Sequence, residues 1–220
     1  MRRVLTRLVV VIGTVAAILG GGSPAASGPP DPEAGRALFE AKQCGRCHLP
    51  RAGAGAGPAL ERLRRPQGQM QLAGRLWNHV PIMFTALDRN GFEWPRITAA
   101  EMAHLMAFLG ADPGRDPAPD VERGRVALMR KGCLKCHRFR GEGGAVEPDL
   151  ADRRADYVSV PAWAAAMWAH TPAMAAMATR QGVPYPRFSG DEMGDLIGFL
   201  RQATAAGGPA GPAGAVRRSP

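Results

Sequence analysis

Cys44-Gly45-Arg46-Cys47-His48 and Cys133-Leu134-Lys135-Cys136-His137 are two copies of one pentapeptide, and together they take up all four cysteines of the 220-residue chain. Two thiols three positions apart can each add across a vinyl group of one haem, and the next residue then places its imidazole beneath the iron. Cys-x-x-Cys alone also serves zinc ribbons and dithiol redox centres. A terminal His in both copies, each opening a matching stretch of chain, points instead to covalent haem. Cys44, Cys47, Cys133 and Cys136 are the expected thioether positions, and His48 and His137 the expected axial ligands of two irons. No cysteine is left for a disulfide, a copper thiolate or a nucleophile.

Outward from each copy the chain repeats. Upstream, Asp31-Pro32-Glu33 and Asp120-Val121-Glu122 read as helix starts, with acids near the positive end of the dipole and, in the first, Pro in the opening turn. The first helix is expected to reach about Gln43. Gly35 and Gly124 fall at the same repeat position. A helix-interior Gly costs about 1 kcal/mol relative to Ala, so its recurrence predicts another helix crossing closely there.

Downstream come Gly57-Pro58-Ala59-Leu60 and Glu147-Pro148-Asp149-Leu150. A Pro carbonyl can accept from the far nitrogen of a ligand His, fixing its tautomer, which makes Pro58 and Pro148 candidates for that task. Arg62, Arg64 and Arg65, and then Arg153 and Arg154, follow as guanidinium partners for haem propionates or as solvated surface.

Leu76-Trp77-Asn78-His79-Val80-Pro81-Ile82-Met83 and Met167-Trp168-Ala169-His170-Thr171-Pro172-Ala173-Met174 share Trp-x-His-x-Pro-x-Met. The residue before Pro is biased out of the helical region. A helix is therefore expected to end at about His79 and at His170, leaving the Met on an extended segment that crosses a haem face. Met83 and Met174 are the expected sixth ligands on this reading. His79 and His170 are the alternative, or else cap, contact a propionate or pack beside Trp77 and Trp168.

Each unit closes with a helix opened by a capping box, Thr98-Ala99-Ala100-Glu101 and Ser189-Gly190-Asp191-Glu192. Met102, Leu105, Met106 and Leu109, then Met193, Leu196, Ile197 and Leu200, recur at helical spacing and read as core. Phe108 and Phe199 are expected to face the Gly-bearing helix. His104 is a poor ligand candidate, because Asp195 stands at its repeat position. Gly110 to Pro119 reads as a short stiff linker. No strand-period alternation stands out, so the expected fold is all-α.

Residues 1–27 carry Arg2 and Arg3, an apolar run from Leu8 to Leu19 and then small residues, the order of a secretory signal. The run is short beside the roughly twenty residues that span a bilayer, though an uncleaved anchor is the rival reading. The expected organisation is a signal peptide over 1–27, one domain over 28–113, a second over 114–203 and a disordered Gly/Pro/Ala-rich tail over 204–220. A formal charge of +9 includes Arg2, Arg3 and Arg7 of the leader. No basic run interleaves with aromatics, so nucleic acid is not implied.

On these motifs the chain resembles a tandem of two class I cytochromes c, over about residues 31–110 and 120–203, like the soluble dihaem cytochromes whose two domains pack with approximate two-fold symmetry. The Trp-x-His-x-Pro-x-Met context departs from the best-known tandem members. The resemblance implies an exported, periplasmic protein with two haem c groups. It would carry single electrons between a donor and an acceptor redox protein, either of them membrane-associated, with no small-molecule substrate and no catalytic residues. The alternatives are a haem enzyme of peroxidase or sulfur-compound dehydrogenase type, and a dedicated electron-transfer subunit of an oxidoreductase. Both enzyme types usually need an open or labile iron, and neither a spare cysteine nor an unequal Met is found here.

Overall fold

A computed structural model describes residues 28–51 and 55–206. The leader over 1–27 and the tail from 207 lie outside the described residues. The chain order is α1 (Pro32–Ala41), α2 (Leu60–Leu63), α3 (Gln69–Arg89), α4 (Ala99–Phe108), α5 (Val121–Arg130), α6 (Val160–Arg180) and α7 (Glu192–Ala206). Short 3-10 turns at Cys44–Arg46 and Cys133–Lys135 carry the two cysteine pairs. The final helix reaches three residues past the expected boundary at 203.

Each half is built on one helix pair, α1 against α4 and α5 against α7. The crossing points are the two helical glycines. A Cβ on Gly35 would lie 2.0 Å from the His104 carbonyl oxygen and 2.7 Å from Phe108 Cβ. A Cβ on Gly124 would lie 2.0 Å from the Asp195 carbonyl oxygen and 2.8 Å from Phe199 Cβ. The expected close crossings are there, and Phe108 and Phe199 face the glycines as expected.

The two pairs are also tied at the helix start. The Asp31 N–H donates to His104 Nδ1 at 2.9 Å, and the Asp120 N–H donates to Asp195 Oδ1 at 2.7 Å. His104 and Asp195 are different residues performing one task. Lys42 bridges Glu101 at 2.8 Å and donates to the Arg96 carbonyl, while Lys131 bridges Glu192 at 2.9 Å and donates to the Arg187 carbonyl. The Thr98 capping box is complete. At Ser189 only the reciprocal half forms, with Glu192 accepting from the Ser189 N–H at 2.8 Å.

The long helices α3 and α6 pack on one another and join the halves, with α6 also against α4 and α3 against α7. Met102, Leu105 and Met106 on α4 and Leu109 at its C-terminal cap are buried, as are Met193, Leu196, Ile197 and Leu200 on α7, in one continuous core. The linker is pinned to α3, since Asp116 Oδ1 accepts from the Met70 N–H at 2.9 Å.

The all-α expectation holds apart from one small hairpin, and one expectation fails. The fold is mostly helical, but Arg138–Phe139 and Glu142–Gly143 pair as a small antiparallel hairpin. Arg140 and Gly141 at its tip both have positive φ, the backbone a tight hairpin turn needs, and the Asp149 carboxylate holds both their N–H groups. Strands of two residues are too short to show a period. Neither long helix stops at its His. α3 continues through Pro81 to Arg89 and α6 through Pro172 to Arg180, so Met83 and Met174 sit on helix and not on an extended crossing segment.

The reason lies across the interface. A Pro within a helix leaves the carbonyl four residues earlier without its N–H donor, which here means Trp77 and Trp168. Tyr185 Oη donates to the Trp77 carbonyl at 3.0 Å, and Trp94 Nε1 donates to the Trp168 carbonyl at 3.1 Å. Each half thus caps the proline break of the other, and the helix propagates past the bias set by the residue before Pro.

Candidate haem-binding clefts

Each half carries one deep cleft. The first, of about 430 Å³, is lined by Cys44, Cys47, His48, Pro58, His79, Met83 and Trp94, among others. The second, tighter at about 90 Å³, is lined by Cys133, Cys136, His137, Leu150, His170 and Met174, among others.

The cysteine turns form alike. A left-handed residue, Gln43 at φ 61° or Gly132 at φ 77°, ends the preceding helix segment and turns the chain into the 3-10 turn. The His48 N–H then donates to the Cys44 carbonyl at 3.0 Å and the His137 N–H to the Cys133 carbonyl at 2.9 Å. Each imidazole is therefore held beside its own thiols. His48 Nδ1 donates to the Pro58 carbonyl at 2.9 Å, and His137 Nδ1 to the Pro148 carbonyl at 2.9 Å. A carbonyl can only accept, so the proton is on Nδ1 and the Nε2 lone pair is free for a metal.

Across each cleft stands the second histidine. The ring centres of His48 and His79 are 6.4 Å apart, and those of His137 and His170 are 6.1 Å apart. Burial, and then the neighbouring His48, hold His79 below the ordinary imidazole range. Burial does the same for His170. His170 Nε2 is buried with no hydrogen-bond partner. The structure thus brings His79 with Met83, and His170 with Met174, into the same clefts, one helical turn apart on α3 and α6.

Burial pushes the Cys44 thiol up and the Cys133 thiol up to about 11. Such thiols stay protonated at neutral pH, unlike the thiolates of a dithiol redox centre. Among the described residues no group of three or more His, Cys, Asp or Glu is arranged to hold a metal ion by itself, as a zinc ribbon would require.

Trp77 and Trp168 do not serve their own halves. Trp77 lines the second cleft and Trp168 the first. Trp77 Nε1 donates to the Pro186 carbonyl and Trp168 Nε1 to the Pro95 carbonyl, both at 2.7 Å. Trp168 stacks on Trp94 at 4.2 Å between ring centres, while Trp77 stacks on Tyr185 at 5.6 Å and Trp163 at 6.3 Å. Trp94 and Tyr185 escaped the sequence reading, although the aromatic-Pro pairs Trp94-Pro95 and Tyr185-Pro186 recur in register and could have shown them.

Arg64 Nε donates to the Phe108 carbonyl at 2.9 Å and its guanidinium lies 4.5 Å over the Phe108 ring, while Arg153 pairs with Asp156. Arg75, one helical turn before His79, was not singled out. Its Nε and Nη2 are buried without a hydrogen-bond partner, and burial lowers its pKa.

Residues 121–204, from α5 to near the end of α7, match the family model described as Cytochrome c. No curated protein and no solved structure matches the chain. The matched stretch holds the second cysteine pair, His137, His170 and Met174. Among the described residues no helix is long and apolar enough to cross a membrane.

Proposed function

We propose that this chain, whose residues 121–204 match the Cytochrome c family model, is an exported dihaem electron carrier with one cytochrome c domain there and a second over the first half. The observation that carries this reading is the duplicated cleft. In both halves a cysteine pair, a His whose Nδ1 is bound to a Pro carbonyl, and a facing His/Met pair occupy equivalent places.

The residues present fit the group. Cys44 and Cys47, and Cys133 and Cys136, would hold the two porphyrins through thioethers. His48 and His137 would bind iron through Nε2, and the Pro58 and Pro148 carbonyls fix that orientation by holding Nδ1. The orphaned His170 Nε2 is a buried polar atom that a bound iron would satisfy. A haem held this way supplies a one-electron couple whose potential depends on its axial ligands and burial. The apolar walls exclude water, and the rigid helix pairs keep both ligand sets in place as the charge on iron changes. Donor and acceptor are redox proteins. The leader over 1–27 directs export to the periplasm, by cleavage or as a retained anchor.

The test is a pyridine haemochrome assay on protein matured in an exporting host. Two covalent haems per chain are expected, with Cys44→Ala/Cys47→Ala and Cys133→Ala/Cys136→Ala each removing one. One haem or none in the intact chain would overturn the dihaem reading. Rapid, complete carbon monoxide binding by the reduced protein would instead indicate an open iron and a haem enzyme.

A further inference from the structure

We infer that the sixth iron ligand in each half is the histidine, His79 and His170, so that both haems are bis-imidazole centres, and that Met83 and Met174 only line the haem faces. This rests on the dihaem reading and deepens it.

The distances carry the assignment. An imidazole nitrogen binds a transition metal at about 2 Å. Two trans imidazoles then place their nitrogens about 4 Å apart and their ring centres about 6 Å apart, on the same bond length. The observed separations are 6.4 Å for His48 with His79 and 6.1 Å for His137 with His170. Axial ligation asks each ring plane to contain the iron–nitrogen axis and leaves the angle between the planes free. The observed angles of 53° and 64° are therefore compatible.

A second, independent observation is chemical. His170 Nε2 is buried and unpaired, and an imidazole nitrogen in an apolar wall loses its hydration for nothing unless something binds it. His137 faces it with Nδ1 already committed to Pro148. A metal between the two Nε2 atoms satisfies both.

The methionines are displaced from this axis by the helix itself. Met83 and Met174 lie four residues beyond the histidines on unbroken helix, which at 1.5 Å per residue is about 6 Å along the axis. The extended segment that would have swung the thioether over the iron does not form. Capping of the Trp77 and Trp168 carbonyls by Tyr185 and Trp94 is what keeps the helix running through the prolines.

The test uses the mature dihaem protein, with the haem content of every sample fixed first by pyridine haemochrome. Near-infrared magnetic circular dichroism and electron paramagnetic resonance of the ferric state should show two low-spin bis-imidazole centres and no sulfur-to-iron band. Met83→Leu and Met174→Leu should leave these spectra unchanged. His79→Gly and His170→Gly should each lose one low-spin centre, admit carbon monoxide to that iron when reduced, and recover the low-spin signal with added imidazole. A sulfur-to-iron band in the intact protein that Met83→Leu or Met174→Leu removes overturns the assignment for that haem and leaves the dihaem reading standing. A chain without two covalent haems sinks the dihaem reading itself. The spectrum of the intact protein decides the ligand even if a variant fails to mature.

Discussion

Tyr185 donates its hydroxyl to the Trp77 carbonyl at 3.0 Å, filling the place of the N–H that Pro81 lacks. Removing a donor from a half-buried carbonyl costs about 1–3 kcal/mol, so Tyr185→Phe should lower stability by that order in urea unfolding of the holoprotein. Pro81→Ala restores the helical N–H. In that background Tyr185→Phe should cost close to nothing, and an undiminished cost would show that the hydroxyl has another purpose.

Trp77 and Trp168 are placed to report across the molecule. Trp77→Leu should perturb the haem resonances of the second half more than those of the first, and Trp168→Leu the reverse, as read by paramagnetic NMR. Equal disturbance of both haems by each variant would contradict the exchanged lining of the clefts.

Gly35 and Gly124 leave no room for a methyl group, since a Cβ would stand 2.0 Å from a carbonyl oxygen of the crossing helix. Ala is the better helix former by about 1 kcal/mol, whereas forced overpacking costs about 1–3 kcal/mol or more. Gly35→Ala and Gly124→Ala should both lower the melting temperature. A rise in either would mean that the helices separate without penalty.

His104 and Asp195 accept the same N–H in the two halves. His104→Asp should therefore retain most of the stability that His104→Ala loses, with the loss on the scale of one hydrogen bond, about 1 kcal/mol. Equal melting temperatures for the two variants would remove the equivalence.

Acid should loosen both helix pairs. Burial works to raise Glu101 and Glu192, but hydrogen bonds from Lys42 and Lys131, together with the N–H groups of Thr98 and Ser189, hold both carboxyls below the ordinary 4.5. A carboxylate depressed in the folded state stabilises above its unfolded value, and that contribution disappears as pH falls through the folded value. Thermal stability should thus decline below about pH 4.5, and Glu101→Gln/Glu192→Gln should flatten that decline.

Much of the fold could be read from the chain because the repeat marks it. The glycine crossings, the buried faces of α4 and α7 and the His–Pro contacts all follow from residues that recur in register. The course of the long helices could not be read this way. Pro81 and Pro172 give a true local signal to stop, and it is overruled by Tyr185 and Trp94, which lie far away in sequence and in the opposite half. The hairpin at Arg138–Gly143 rests on one carboxylate and two left-handed residues, with no alternation to announce it. Arg75 stayed hidden because its repeat partner is Ala166. A comparison of halves discards what only one of them has.

The exchange of Trp77 for Trp168 and of Tyr185 for Trp94 is an isologous contact drawn within a single polypeptide: what the first half offers, the second accepts, and the reverse. Such a surface is complementary to itself before any covalent join is made. Cutting the tether between Gly110 and Pro119 should therefore leave two fragments that find one another in solution, and the peptide bonds between them act to set stoichiometry more than to create affinity.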